Sequence, residues 1–384
     1  MKHSYFVIDM HAHIGDPEIP RKIGEKAINN PRVRHAFEGI QKLQQDVGWE
    51  DGMVALNPSP QHFVQVMQES GTDLAVLSML GFTEELEGIE LCSSDMIATI
   101  LQEYPGKFLG FAGVDPRLSD AAQRIEMYVK EKGFSGAKLN PNDWGIFRLD
   151  DPMLIPIFEK CNDLGVPLHI HTGVDPTGLI ENANPLLLDK IALQYPQLKI
   201  LLEHYGFPFK YEAYAMCRKH EHVYLTLAWH FNKLVHHNRY LAWLELEEMR
   251  IHAGIGKILY GSDYPATPNL KEVINFLKYD HMPLMLQFSG VKDWTYEMRA
   301  QVLGLNAAGI LDYKNEHLMQ LRNRFKKEVG RVELSMQWNQ EALAQLQKIP
   351  PFIRSGAIGK IEGYAKKKGI KLISPEVMQK ARNQ

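Results

Sequence analysis

The chain has 384 residues, 45% hydrophobic and 23% charged, enough apolar material for one large domain with a small extra one, or for two domains. Its formal net charge of −3 excludes the broad basic excess of a general nucleic-acid binder. Three widely spaced cysteines, Cys92, Cys161 and Cys217, form neither a disulfide framework nor a CxxC metal site, and they point to a reducing compartment. The first residues lack a signal-peptide pattern and no run of about 18 apolar residues occurs. The expectation is a cytoplasmic protein with no membrane span.

Eight short apolar runs, most ending in Gly, Pro, His or Asp, predict strands. The first is "FVIDMHAH", Phe6–His13. The interval after it, Gly15–Pro58, is longer than the others and reads as a partly helical insertion in the first βα loop, placed to act as a lid. The remaining runs are Asp73–Leu80, Phe108–Pro116, Ser135–Pro141, Pro167–Gly173, Lys199–Gly206, Val223–His230 and Lys257–Pro265. Helical patterns such as Asp120–Gly133 fill the intervals. Near-continuous apolar strands alternating with helices predict a parallel sheet covered by helices, and eight such units predict a (β/α)8 TIM barrel over residues 1–315. "EMRAQVLGLNAAGIL" is expected to be the closing helix. A charged helical connector, 316–333, and a small all-helical domain, 334–384, are expected to follow.

Side chains alternate along a strand, so Asp9, His11 and His13 share one face, with Met10 and Ala12 on the other. Two imidazoles at the C-terminal end of a barrel strand can clip one divalent metal, which then needs further ligands. Later strand ends offer Lys138 in "GAKLNP", His169 and His171 in "HIH", His204 in "LEHYG" and Asp263 in "YGSDYP". Taken singly, each has an ordinary explanation as a core histidine or a turn former. Their convergence on one rim is what argues for a site. Trp144, Phe147, Trp229, Phe231 and Tyr264 are candidates either to line an aromatic mouth or to pack in loops. Arg32, Arg34 and Arg148 are candidates either to clamp a substrate carboxylate or to sit on the surface.

The segments "DMHAH", "GAKLNP", "VPLHIHTG", "LLEHYGFP", "ILYGSDYP" and "VLGLNAAGIL" together resemble the amidohydrolase superfamily. The resemblance is to the branch with aminocarboxymuconate semialdehyde decarboxylase, resorcylate-type decarboxylases and pyrone-dicarboxylate hydrolase. It implies that His11, His13, His171 and Asp263 bind one divalent metal, most often zinc. It implies that His204 is a general acid/base, that Asp263 also takes the water proton, and that His169 is a packing or supporting residue. Lys138, carboxylated, would bridge two metals with His204 as a further ligand only if the site were binuclear. The first reading is a hydrolase whose metal-activated water attacks a C–N or lactone C–O carbonyl of a small carboxylated or aromatic substrate. The alternative is a non-oxidative decarboxylase of a carboxylated aromatic or muconate-like compound.

The tail reads as three short helices with Ile349, Phe352, Ile353, Ile361, Tyr364 and Ile370 as a small core. Its "IPPFIR…IE…A…G…IS.EVM..AR" pattern resembles the small helical domain of the light-independent protochlorophyllide reductase B subunit. From Pro350 to Gln384 the charge is +6, while the rest sums to −9. That asymmetry suggests a module that docks onto an acidic protein surface, in a chain expected to form homo-oligomers and to bind neither nucleic acid nor membrane.

Overall fold

The computed structural model describes residues 5–16, 18–29, single positions between 31 and 42, 58–81, 90–141, 147–174, 178–267, 269–314, 316–320, 335–349 and 351–382. The chain divides into two compact units, Met1–Tyr313 and Lys314–Gln384.

In the first unit, eight strands form one sheet: β1 (Ile8–Ala12), β2 (Leu74–Ser78), β3 (Phe108–Ala112), β4 (Gly136–Leu139), β5 (Leu168–Ile170), β6 (Ile200–Leu202), β7 (Val223–Thr226) and β8 (Ile258–Leu259). They are ordered as in the sequence and every neighbouring pair is parallel. Met10 N–H donates to Tyr260 O at 3.0 Å, and Ala12 bridges Tyr264 in parallel, so the last strand meets the first. This is the expected TIM barrel. Each strand is shorter than its predicted run, because the polar ends of the runs leave the ladder and form loops at the C-terminal rim.

The helices follow from apolar spacing. Ala121–Lys132 turns Ala121, Ile125 and Tyr128 inward, places Lys130 and Lys132 in its last turn, and stops at Gly133 with φ 76°. The expected closing helix runs over Tyr296–Ala300, a π-helical turn at Gln301–Leu305, and Asn306–Ile310. Gly304 in that turn packs directly on β1's entry: a Cβ there would lie 2.1 Å from the Phe6 carbonyl oxygen. Of the insertion after β1, the helix Ile19–Asn29 and single positions beyond it are described, and most of the rest of the proposed lid lies outside the described residues. A short antiparallel pair, Leu80–Gly81 with Glu90–Cys92, was not expected. Among the described residues, no helix is long and apolar enough to cross a membrane.

The second unit has the three expected helices, Gln340–Lys348, Pro351–Lys367 and Pro375–Arg382. It adds a two-residue parallel pair, Gln337–Trp338 with Leu372–Ile373. Trp338, Ala342, Leu346, Ile358, Ile361, Ala365, Ile373, Val377, Met378 and Ala381 form its core, with Ile349, Tyr364 and Ile370 packed against it. The side chains of Phe352 and Ile353, and most of the 316–333 connector, lie outside the described residues. The buried Glu362 carboxylate accepts from Ser335 N at 3.2 Å, Met336 N at 3.2 Å, Trp338 Nε1 at 2.9 Å and the Ser335 hydroxyl. It ties the unit's first strand to its longest helix. Glu362→Ala leaves these donors unpaired and is expected to weaken this unit by about 1–3 kcal/mol. Hydrogen exchange should show faster opening confined to 335–382, with protection in the barrel strands unchanged.

Candidate metal centre

Asp9 fixes the entry of β1. Its Oδ1 accepts from His11 N at 3.1 Å and from Ser262 N at 2.8 Å. The carboxylate therefore ties the strand carrying both histidines to the segment carrying Asp263. Two further bonds complete the seam: Asp263 N donates to His11 O at 2.8 Å, and His13 N donates to Tyr264 O at 2.6 Å. Asp263 itself has φ 59°, a left-handed turn that aims its side chain back toward the histidines.

His11 Nε2 lies 2.8 Å from His13 Nε2, and Asp263 Oδ1 lies 3.6 Å from each. His13 Nδ1 is 2.8 Å from the Ser78 carbonyl oxygen, which can only accept. The proton therefore sits on Nδ1, and Nε2 presents a lone pair. Burial, reinforced by the Lys138 charge, lowers the His13 pKa to about 4, and burial holds His11 well below its ordinary value against the pull of Glu203. Both imidazoles are neutral, the form that ligates a metal. Burial, then the Glu203 charge, raises Asp263 to about 7.

The second half of the site comes from β4, β5 and β6. After Leu202 the chain enters a tight turn in which His204 has φ 52° and Tyr205 φ 41°. In a continued strand Glu203 and His204 would point to opposite faces. The left-handed turn brings both into the same pocket, where Glu203 Oε2 is 4.0 Å from His204 Nε2. Glu203 is fully buried and central: Oε1 is 3.2 Å from His169 Nδ1 and 3.8 Å from His11 Nε2, and Oε2 is 3.5 Å from His171 Nδ1. Lys138 donates to Glu203 Oε1 in a buried ion pair. Burial raises the Glu203 pKa, but His11, Lys138 and His169 outweigh it and hold the carboxyl well below its usual range. His169 Nε2 also meets the Thr226 hydroxyl at 3.1 Å.

Three donor groups result: His11, His13 and Asp263; His11, His169 and Glu203; and His171, Glu203 and His204. Of the expected ligand set, His11, His13 and Asp263 come together in one group, and His171 stands in the adjoining one. The two groups touch, with the His11 and His204 rings 5.5 Å apart and the His171 and His204 rings 5.0 Å apart. The residues fit a divalent cation. Donor separations of 2.8 and 3.6 Å bracket the roughly 3.4 Å edge of a tetrahedron with ~2.1 Å bonds. Buried His11 Nδ1 and His204 Nδ1 make no hydrogen bond, so the cluster is not closed by the protein alone.

The sequence reading missed Glu203 and gave Asp9 no role. The signal for Glu203 was present as a lone acid inside the apolar run "KILLEHYG". The strand period placed it opposite His204, and only the turn reverses that. Among the aromatic candidates, Phe231 packs in the core at 6.1 Å from Phe276, and Phe147 is also buried in the core. For these two the packing alternative holds. Tyr264 is buried with its ring 4.2 Å from Phe63 and its hydroxyl 2.7 Å from His62 Nδ1. Trp229 is half-buried. Arg148 pairs with Asp150 on the surface, and Arg34 donates to Ile28 O. Trp144 and Arg32 lie outside the described residues.

Residues 338–382 match the family described as Proto-chlorophyllide reductase 57 kD subunit. A 2-amino-3-carboxymuconate-6-semialdehyde decarboxylase of Dictyostelium discoideum is 30% identical over 116 residues, covering 28% of this chain and 32% of the relative. The aligned part thus spans about a third of that protein's length. A 5-carboxyvanillate decarboxylase from Sphingomonas paucimobilis superposes with TM-score 0.57 at 18% identity, covering 81% of this chain and 100% of that one. A dihydroxybenzoic acid decarboxylase from a Polaromonas species, with bound manganese, gives TM-score 0.54 at 17% identity, covering 82% and 99%. At such identities these two structures speak for the fold. The family described as Amidohydrolase matches residues 8–312, from the first barrel strand through the closing helix, and the chain therefore belongs to the amidohydrolase family as an enzyme of that superfamily.

Proposed function

We propose that the protein is a metal-dependent, non-oxidative decarboxylase of a carboxylated aromatic or muconate-like compound. The observation that carries the metal-dependent part of this reading is the His11–His13–Asp263 donor set with His204 beside it. The same set would serve a hydrolase, the reading put first from the sequence alone. Decarboxylation is preferred because the matched relative and the structural neighbours named above are decarboxylases.

His11, His13, His171 and Asp263 would hold the ion, which would supply positive charge to orient the substrate carboxylate. Zinc follows from the ligand types, and the manganese of the Polaromonas enzyme makes that metal an equal candidate. The chain's own residues do the rest. The reaction replaces a carboxylate on carbon with a proton: the C–C bond to the carboxylate breaks, its electron pair stays on carbon, and a C–H bond forms as CO2 leaves. His204 is placed to hand over that proton, because its Nδ1 is committed to no other group. Asp9 and Ser78 hold the two β1 histidines in position through the contacts above.

A panel of hydroxybenzoates, carboxylated vanillates, muconate semialdehydes, lactones and amides tests the reading. CO2 release from one of the carboxylated compounds is expected. Ring opening or amide cleavage without CO2 release would show a hydrolase instead. One tightly held divalent ion per chain is expected, lost in His11→Ala and in Asp263→Ala. Elemental analysis of metal-replete protein checks it, and the absence of any ion would refute the site. His204→Asn is expected to cut turnover by about 100-fold or more while metal content stays near wild type. Loss of the metal in that variant would make His204 a ligand.

A further inference from the structure

Lys138 and Glu203 form a buried ion pair at the centre of the candidate metal centre, and neither the family match nor the reaction assigns that pair a role. Both side chains are almost completely shielded, at 2% and 0% exposure. The Lys138 ammonium sits on Glu203 Oε1, the oxygen that also lies within 3.2 Å of His169 Nδ1 and 3.8 Å of His11 Nε2. His11, His169 and Glu203 constitute one of the three cation-sized donor groups in the described residues. A unit positive charge therefore already stands against the carboxylate of that group. The other carboxylate oxygen faces His171 Nδ1 at 3.5 Å. A carboxylate only accepts when ionised, so a proton on Nδ1 is favoured there and Nε2 is turned away from Glu203 as the ligating nitrogen.

We propose that Glu203 is the positioning carboxylate of the metal site, and that the Lys138 ammonium takes the place of a second cation and so limits the site to one metal ion. The inference rests on the proposed metal site and deepens it. A lysine that bridged two metals would have to give up its charge as a carbamate. Here the amine is held against Glu203 Oε1 in a buried ion pair, and removing it would leave the buried carboxylate without its partner. Glu203 then has two tasks: it fixes the His171 tautomer through one oxygen, and it anchors the ammonium through the other.

Metal titration calorimetry and elemental analysis on the full chain, with Mn2+ and Zn2+ separately, test this. The wild type is expected to bind one ion; no binding at all would refute the metal reading itself rather than this inference. The double variant Lys138→Met/Glu203→Gln removes both charges together and keeps the core neutral, which guards against a folding failure. It is expected to bind one ion with affinity weakened by about 10–100-fold. The cobalt-substituted variant should show a changed visible absorption spectrum, a signature that a purely structural role would leave alone. Unchanged affinity and spectrum would overturn the positioning role, and complete loss of the ion from folded protein would make Glu203 a ligand instead. The single variant Lys138→Met is expected to take up a second ion at saturating metal. A stoichiometry that stays at one in folded Lys138→Met would overturn the part assigned to the ammonium.

Discussion

The seam between β1 and β8 is the constraint on which the candidate site depends. Asp9 Oδ1 bonds both His11 N and Ser262 N, and Asp263 N bonds His11 O. Residues some 250 positions apart in sequence thereby share one short stretch of backbone geometry. A barrel left open at this point would keep its two histidines and lose Asp263 from their reach. The same seam explains why Asp9 is buried at all: its burial raises it to about 7, and the two backbone donors together with Ser262 offset part of that cost.

The rest of the site is a problem of buried charge. Glu203, Lys138 and the surrounding histidines are nearly all withdrawn from water in the barrel's rim. An isolated carboxylate there would neutralise itself by taking a proton. The Lys138 ammonium keeps Glu203 ionised, and burial holds His169 and His204 below the ordinary imidazole range. The cation proposed for His11, His13, His171 and Asp263 would add positive charge to the same buried cluster. Residues that look redundant as a count of ligands therefore have separate electrostatic tasks.

The C-terminal unit uses the same device on a smaller scale. Glu362 satisfies backbone and side-chain donors from 335–338, so one carboxylate adds to the packing of Met336 and Trp338 in holding that segment. Its core is otherwise built from the inward faces of three helices and a two-residue strand pair. That pair needs chain from both ends of the unit, Gln337–Trp338 and Leu372–Ile373, which is why the helical pattern alone did not reveal it.

Local sequence determined the barrel and half of the site. Eight apolar runs at regular intervals encode parallel strands because burial on both faces demands continuous hydrophobic residues, and the period-two spacing of Asp9, His11 and His13 encodes their common face. The polar ends of those runs also marked Lys138, His169, His171, His204 and Asp263 as rim residues. Tertiary structure decided which of them meet. His204 joined Glu203 in the site because His204 and Tyr205 adopt left-handed backbone, a conformation that strand periodicity does not anticipate in non-glycine residues. Lys138 became an ion-pair partner because the β4 and β6 ends converge, and Phe231, open between mouth and packing in the sequence, packs in the core because the helix after β7 turns it toward Phe276. Pattern along a chain records which faces are buried; which buried groups face one another is settled only when the sheet closes.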